Sequence, residues 1–216
     1  MLKWLFLLSL GATAHAAPLT VWIDPGHGGR DHGAVQGDVH ECDINLAVSN
    51  KLQALLERDR RFQVQMTRTQ DVFVSLPDRA RMAKSGADDL FLSIHVNSST
   101  DRQARGAEFY FQNQLPPDEE SMFMAHQENL SAQDENYQPF SYEYLKANRY
   151  PTEVAAIVND LLDSQRVQRS SELSRALKLN WRGSRKARGR ATAIRQAPFF
   201  VLNQMRVPST LVEIGF

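Results

Sequence analysis

The chain is poor in several things, and each shortage removes a class of protein. It has one cysteine, Cys42, so no intrachain disulfide can brace it. Lys+Arg and Asp+Glu number 25 each, so no excess charge draws nucleic acid or an anionic membrane. No His-Glu-x-x-His occurs, which argues against the helical metalloprotease pattern. No Gly-Lys-Ser/Thr follows the glycine-rich stretch, which argues against a phosphate loop. There is no internal repeat, and no apolar run reaches the roughly 20 residues that span a membrane.

What is present suits one domain. The 216 residues are 42% hydrophobic, enough for a substantial core. Residues 1–16 read as an export signal: Lys3 gives the positive start, Trp4 to Gly11 the apolar stretch, and Ala14-His15-Ala16 the small-residue cleavage pattern. Its removal leaves 24 basic against 25 acidic side chains. The expectation is a near-neutral exported protein, periplasmic or secreted, comprising residues 17–216 and lacking a membrane span.

The chain is organised around Val21-Trp22-Ile23-Asp24-Pro25-Gly26-His27-Gly28-Gly29-Arg30-Asp31. A β-branched apolar run, Leu19 to Ile23, breaks into a glycine-rich loop with a histidine in its middle. Residues 30–40 continue the loop. A helical pattern starts at Asp43, with Ile44, Ala47, Val48, Leu52, Leu55 and Leu56 on one face. Glu41 sits just before it. Phe62 to Met66 alternates as a half-covered strand. Ser75 caps a helix over about 76–85 that ends near Gly86. Leu90 to Asn97 is apolar on both faces and belongs at the centre of a sheet. Ala107 to Phe111 is a further strand. Residues 113–150 show no clear period and form a long insertion. Beyond them Val154, Ile157, Val158, Leu161 and Leu162, then Leu173, Ala176, Leu177 and Trp181, give helical faces. Arg182 to Arg190 reads as a solvated turn, and strands are expected at Phe199–Leu202 and Thr210–Ile214. Strands alternating with helices predict an α/β domain with a mostly parallel, twisted sheet and helices on both faces.

Open α/β sheets bind ligands beyond the carboxyl ends of their strands, and His27, His95 and Glu213 all fall at or near such ends. Glu41 opens the first helix and can point back at the loop. Two imidazoles and a carboxylate make the ligand set of a catalytic zinc, and a second carboxylate is then the proton acceptor. The bland alternative for each histidine is a hydrogen-bonded core residue. For Glu213 it is an ion pair with Arg195 or Arg79, since a buried unpaired carboxylate is costly. His32 and His40 are expected exposed in loops, and His126 lies in the insertion. His15 leaves with the signal. The Cys42 sulfur, adjacent to Glu41, should point elsewhere.

Four blocks, Asp24-Pro25-Gly26-His27-Gly28-Gly29, Glu41 with Ile44-Asn45-Leu46, Leu92-Ser93-Ile94-His95-Val96-Asn97 and Leu211-Val212-Glu213-Ile214-Gly215-Phe216, resemble the zinc-dependent N-acetylmuramoyl-L-alanine amidases of the third amidase type. Their order and spacing fit, over residues 19–112 and 187–216. The resemblance implies cleavage of the amide between the lactyl group of N-acetylmuramic acid and L-alanine in peptidoglycan. It also implies Zn2+ held by His27, Glu41 and His95, with Glu213 as the catalytic glutamate. Asp24 and Asp31 would orient the ligands, or else cap their own turns.

Three features depart from that pattern. The family's chains run past the final Gly-Phe into a closing helix, whereas Phe216 is the last residue here. Lys84 stands where asparagine is frequent, and residues 113–186 match no familiar segment. In division-associated relatives an insertion blocks the zinc until a protein activator displaces it. The expectation is that part of 113–150 does so here through Glu128, Glu135 or Glu143, the alternative being a wall of the glycan groove. Competing functions are a zinc carboxypeptidase or endopeptidase on wall stem peptides, and a non-catalytic peptidoglycan-binding module.

Overall fold

The computed structural model of the protein describes residues 17–83, 89–98, 105–113, 116–131, 153–181 and 192–215. In chain order its elements are β1 (Leu19–Pro25), β2 (Val35–Gln36), β3 (Val39–His40), α1 (Glu41–Leu56), β4 (Phe62–Met66), α2 (Leu76–Met82), β5 (Leu90–His95), β6 (Glu108–Phe111), α3 (Glu119–Ser131), α4 (Glu153–Asn180), β7 (Ala193–Gln196), α5 (Phe200–Gln204) and β8 (Ser209–Glu213). Six strands form one sheet in the order β4-β1-β5-β8-β6-β7. All its pairings are parallel except β6 with β8. The expected mostly parallel sheet with helices on both faces is the architecture observed.

Alternation along the inner strands explains the two layers of core. On β5, Phe91 faces one side while Leu92 and Ile94 face the other. Helices α1 and α4 cover the second side, where Val48, Leu52, Leu56, Leu173, Leu177 and Trp181 pack on Ile23, Leu92 and Val212. Helices α2, α3 and α5 cover the first, with Ala80, Ala125 and Leu202 against Phe91, Tyr110 and Leu211. Ser75 caps α2 as its residue type predicts, accepting a hydrogen bond from the Asp78 amide.

The structure corrects several expectations. Phe199–Leu202 is not a strand: Phe199 ends an extended segment and Phe200 opens α5, and the sheet edge is instead β7. A short apolar run looks alike for a strand and a buried helical turn. The insertion contains a regular helix, α3, whose buried positions are Ser121, Ala125 and Asn129, a spacing that hydrophobicity alone does not reveal. Loop 30–40 contains a small hairpin, β2 with β3. Leu161 and Leu162 are exposed rather than core-facing. Glu41 is the first residue of α1 rather than its predecessor. The expectations for residues 1–16, Lys84, Gly86, 132–152 and 182–190, and for the side chains of Val154, Ile157 and Val158, lie outside what is described.

A buried charge cluster fixes the loop after β1. Asp24 accepts from Thr67 Oγ1 at 2.6 Å, Ser93 Oγ at 2.9 Å and Arg79 Nη1 at 2.7 Å. Arg79 also donates to the carbonyls of Pro25 and His27, each at 2.7 Å. Arg68 donates to those of Pro25, Gly26 and Cys42. Burial works to raise the Asp24 carboxyl, but the Arg79 charge and the three hydrogen bonds outweigh it and hold its pKa low. Removing one partner of such a pair leaves a buried charge uncompensated. Arg79→Ala is therefore expected to cost about 3–5 kcal/mol, read from urea unfolding against the parent chain.

Candidate metal centre

The site is assembled from the ends of three parallel strands and the start of α1. Parallel register sets His95 on β5 beside Glu213 on β8, and Pro25 on β1 beside Ile94. The chain must turn sharply to bring His27 in. His27 itself has φ 58, the described non-glycine residue with a positive φ, and such strain is held only where the surroundings over-determine it. Arg79 on its carbonyl supplies part of that hold. Gly26 is required by contact: a Cβ there would run into the His95 imidazole.

These elements bring together four of the singled-out residues. One ligand atom each from His27, Glu41, His95 and Glu128 lies within 4.8 Å of all the others. His27 Nε2 is 3.2 Å from both Glu41 Oε2 and Glu128 Oε2. His95 Nδ1 is 3.1 Å from Glu41 Oε1 and 3.3 Å from Glu128 Oε2. The other nitrogen of His27, Nδ1, lies 3.0 Å from Asp31 Oδ2, the outer contact that fixes a metal-binding imidazole. Asp31 thus touches the histidine as expected. Asp24 hydrogen-bonds neither histidine: it braces strands, and Arg79 links it to the His27 carbonyl. Glu41 is held by the amides of Ala34 and Val96 and by Asn45 Nδ2.

Neither alternative partner of Glu213 is there. Arg79 is on Asp24, and Arg195 is on Glu108, Asp118 and Glu120. Glu213 is 1% exposed, and neither carboxylate oxygen has a hydrogen-bond partner among the described residues. Burial, reinforced by Glu128, Glu41 and Glu108, pushes its pKa well above the ordinary value. For His27 burial acts downward, but contacts with Asp31, Glu128 and Glu41 prevail and raise it to about 12. Glu41 is lowered: burial works against ionisation and the two histidines overcome it. The imidazoles of His27 and His95 and the carboxylates of Glu41 and Glu128 converge beside the buried Glu213. That donor set fits a divalent cation of the zinc type.

The remaining candidates separate cleanly. Glu128, on α3, is the one of the three expected blocking residues seen at the site. Glu135 and Glu143 lie outside the described residues. His126 and His32 are exposed, while His40 is half-buried. Sequence reasoning missed Arg68 and Arg79 as supports of the loop, because arginines holding main-chain carbonyls leave no pattern in a single chain.

The chain is similar to known proteins. A family profile described as N-acetylmuramoyl-L-alanine amidase matches residues 21–216. The probable N-acetylmuramoyl-L-alanine amidase AmiB of Haemophilus influenzae is 34% identical over 134 residues, covering 61% of this chain and 31% of that protein. The N-acetylmuramoyl-L-alanine amidase AmiC of Escherichia coli is 29% identical over 208 residues, 95% of this chain and 47% of that one. The chain thus spans less than half the length of both. An N-acetylmuramoyl-L-alanine amidase from Clostridium difficile 630 superposes with a TM-score of 0.57 at 25% identity, covering 93% of this chain and 81% of that one.

The isolation of Glu213 sets a sign. An acid whose pKa is raised on folding binds its proton more tightly folded than unfolded. Its contribution is then most favourable below the unfolded value of 4.5 and declines as pH rises above it. In metal-free protein, Glu213→Gln is expected to unfold at higher urea than the parent near pH 8, with the advantage shrinking near pH 4.

Proposed function

This chain belongs to the N-acetylmuramoyl-L-alanine amidase family, and on that premise we propose that it hydrolyses the amide between the lactyl group of N-acetylmuramic acid and L-alanine in peptidoglycan. His27, Glu41 and His95 hold a zinc ion in this reading, and Glu213 moves the proton. The observation that carries it is the convergence of imidazole and carboxylate donors within 4.8 Å beside a buried carboxyl without a partner. The reading extends to residues 1–16 as a cleaved export signal and 17–216 as one catalytic domain. Among the described residues no helix is long and apolar enough to cross a membrane.

When bound, zinc supplies Lewis-acid activation of water and of the scissile carbonyl. The protein's own groups do the rest. Asp31 fixes the His27 ring through Nδ1, and Asn45 with two backbone amides fixes Glu41. Glu213 is buried next to His95 in the sheet with neither carboxylate oxygen engaged among the described residues, which leaves its ionised form available as a general base. It takes a proton from the attacking water as the oxygen bonds to the lactyl carbon. It returns that proton to the L-alanine nitrogen as the C–N bond breaks. Muramic carboxylate and a free amine result.

Glu128 adds regulation to the proposal. Its carboxylate stands among the ligand atoms, where an incoming carbonyl or water must go, so α3 acts as a self-inhibitory element. Asn129 ties that helix down by donating to the Pro198 carbonyl at 3.2 Å and accepting from the Phe200 amide at 2.8 Å. Arg195 grips its first turn through Asp118 and Glu120. A protein activator would have to draw α3 away.

Two outcomes are expected on isolated peptidoglycan. The parent releases intact stem peptides bearing a free L-alanine amine, and Glu213→Gln cuts kcat by about 10²–10⁴ while keeping its metal. His95→Ala loses the metal. Stem peptides shortened from their carboxyl ends would instead identify a carboxypeptidase. Glu128→Ala is expected to raise kcat/KM by about tenfold, and an unchanged value would remove self-inhibition from the account.

A further inference from the structure

A second cluster of ligating side chains lies at the start of α1. One ligand atom each from His32, His40 and Cys42 lies within 4.8 Å of the others. The two imidazoles are stacked, with centroids 4.5 Å apart and planes at 30°. We propose that His32, His40 and Cys42 form a second metal site, built for a thiophilic divalent cation such as zinc.

The local fold explains how three residues from a loop and a helix meet. The β2–β3 hairpin places Val35 opposite His40. The Glu41 amide donates to the Ala34 carbonyl at 2.9 Å, and the Cys42 amide to that of His32 at 3.2 Å. Successive residues at the start of a helix point in different directions. Glu41 therefore faces His27 and His95, while the neighbouring sulfur faces His32 and His40. Asp43 Oδ2 lies 3.8 Å from His40 Nδ1, which adds negative charge beside that ring. Arg68 donates to the Cys42 carbonyl at 2.9 Å, and its charge acts on the thiol in the direction that favours the thiolate a metal needs.

The donor chemistry separates this cluster from the first. One thiolate and two imidazoles suit zinc, cobalt or copper and leave a position open for water. The first centre offers only nitrogen and oxygen. Binding deprotonates the thiol and ties the hairpin to α1. Asp31 precedes His32 and Glu41 separates His40 from Cys42, so an ion here would stiffen the segment that carries one support and one proposed ligand of the first centre.

Cobalt distinguishes the two sites, because only thiolate ligation gives a strong sulfur-to-cobalt charge-transfer band. Titration of metal-free full-length protein with Co2+ is expected to fill two equivalents, one of which brings up that band. Cys42→Ser should abolish the band. His32→Ala, a change at an exposed ring that leaves the core intact, should weaken the band-forming equivalent by at least about tenfold. Added Zn2+ should bleach the band. No band at saturating cobalt, or a band of undiminished affinity in both His32→Ala and His40→Ala, overturns the proposal. One equivalent that carries the band would leave this site standing and instead remove the first centre.

Discussion

The burial of negative charge at one point is what the rest of the structure answers to. Glu41, Glu213 and, from the inserted helix, Glu128 bring carboxyl groups to the ends of β5 and β8, where solvent hardly reaches. Carboxylates that share a dry site cannot all ionise without compensation. The histidines provide part of it, which is why His27 is driven toward its charged form and Glu41 toward its own. Glu213 is left without a partner and is pushed toward protonation. A divalent cation among His27, Glu41, His95 and Glu128 would offset the charge gathered there, and its binding would release protons.

Topology makes the convergence cheap. Three strands run the same way, so their carboxyl ends lie side by side, and residues far apart in the chain become neighbours through register alone. Only the first histidine needs special backbone, and that is where the glycines, the positive φ and the two arginines are concentrated. His95 and Glu213 sit on regular strands and need none of this. Antiparallel entry of β6 against β8 then puts Glu108 opposite Glu213. Tyr110 and Arg195 engage Glu108, so the carboxylate paired across the sheet from Glu213 is compensated by groups of its own.

Most of this was legible because the chemistry coincides with strong local signals. A histidine between glycines after an apolar run and a histidine ending the most apolar strand are visible in one sequence. A glutamate ending the last strand is visible too. The layers of the sheet followed from strands apolar on both faces. What could not be read depended on contacts across the chain. Phe199 to Leu202 is apolar enough for a strand, and only the pairing of β7 with β6 decides that Ala193–Gln196 takes the edge instead. His32 and His40 looked like unconnected loop residues until the hairpin stacked them. Arg79 was considered for Glu213 and went to Asp24, a choice between two carboxylates that no spacing encodes.

Helix α3 was illegible for a reason that bears on what it does. A helix that must stay put advertises itself by a stripe of large apolar residues, since that stripe supplies the burial energy. Here the buried positions are Ser121, Ala125 and Asn129, whereas Met122 and Phe123 are exposed. Its apolar contribution to the core is Ala125 with the half-buried Met124, and polar contacts add to its hold: Asn129 with Pro198 and Phe200, Arg195 with Asp118 and Glu120, and Glu128 in the site. Elements held by few apolar contacts open at the low end of a protein's stability range. In the self-inhibition proposed above, the polar pattern that hides the helix from a hydrophobic reading would be the same property that lets it be displaced.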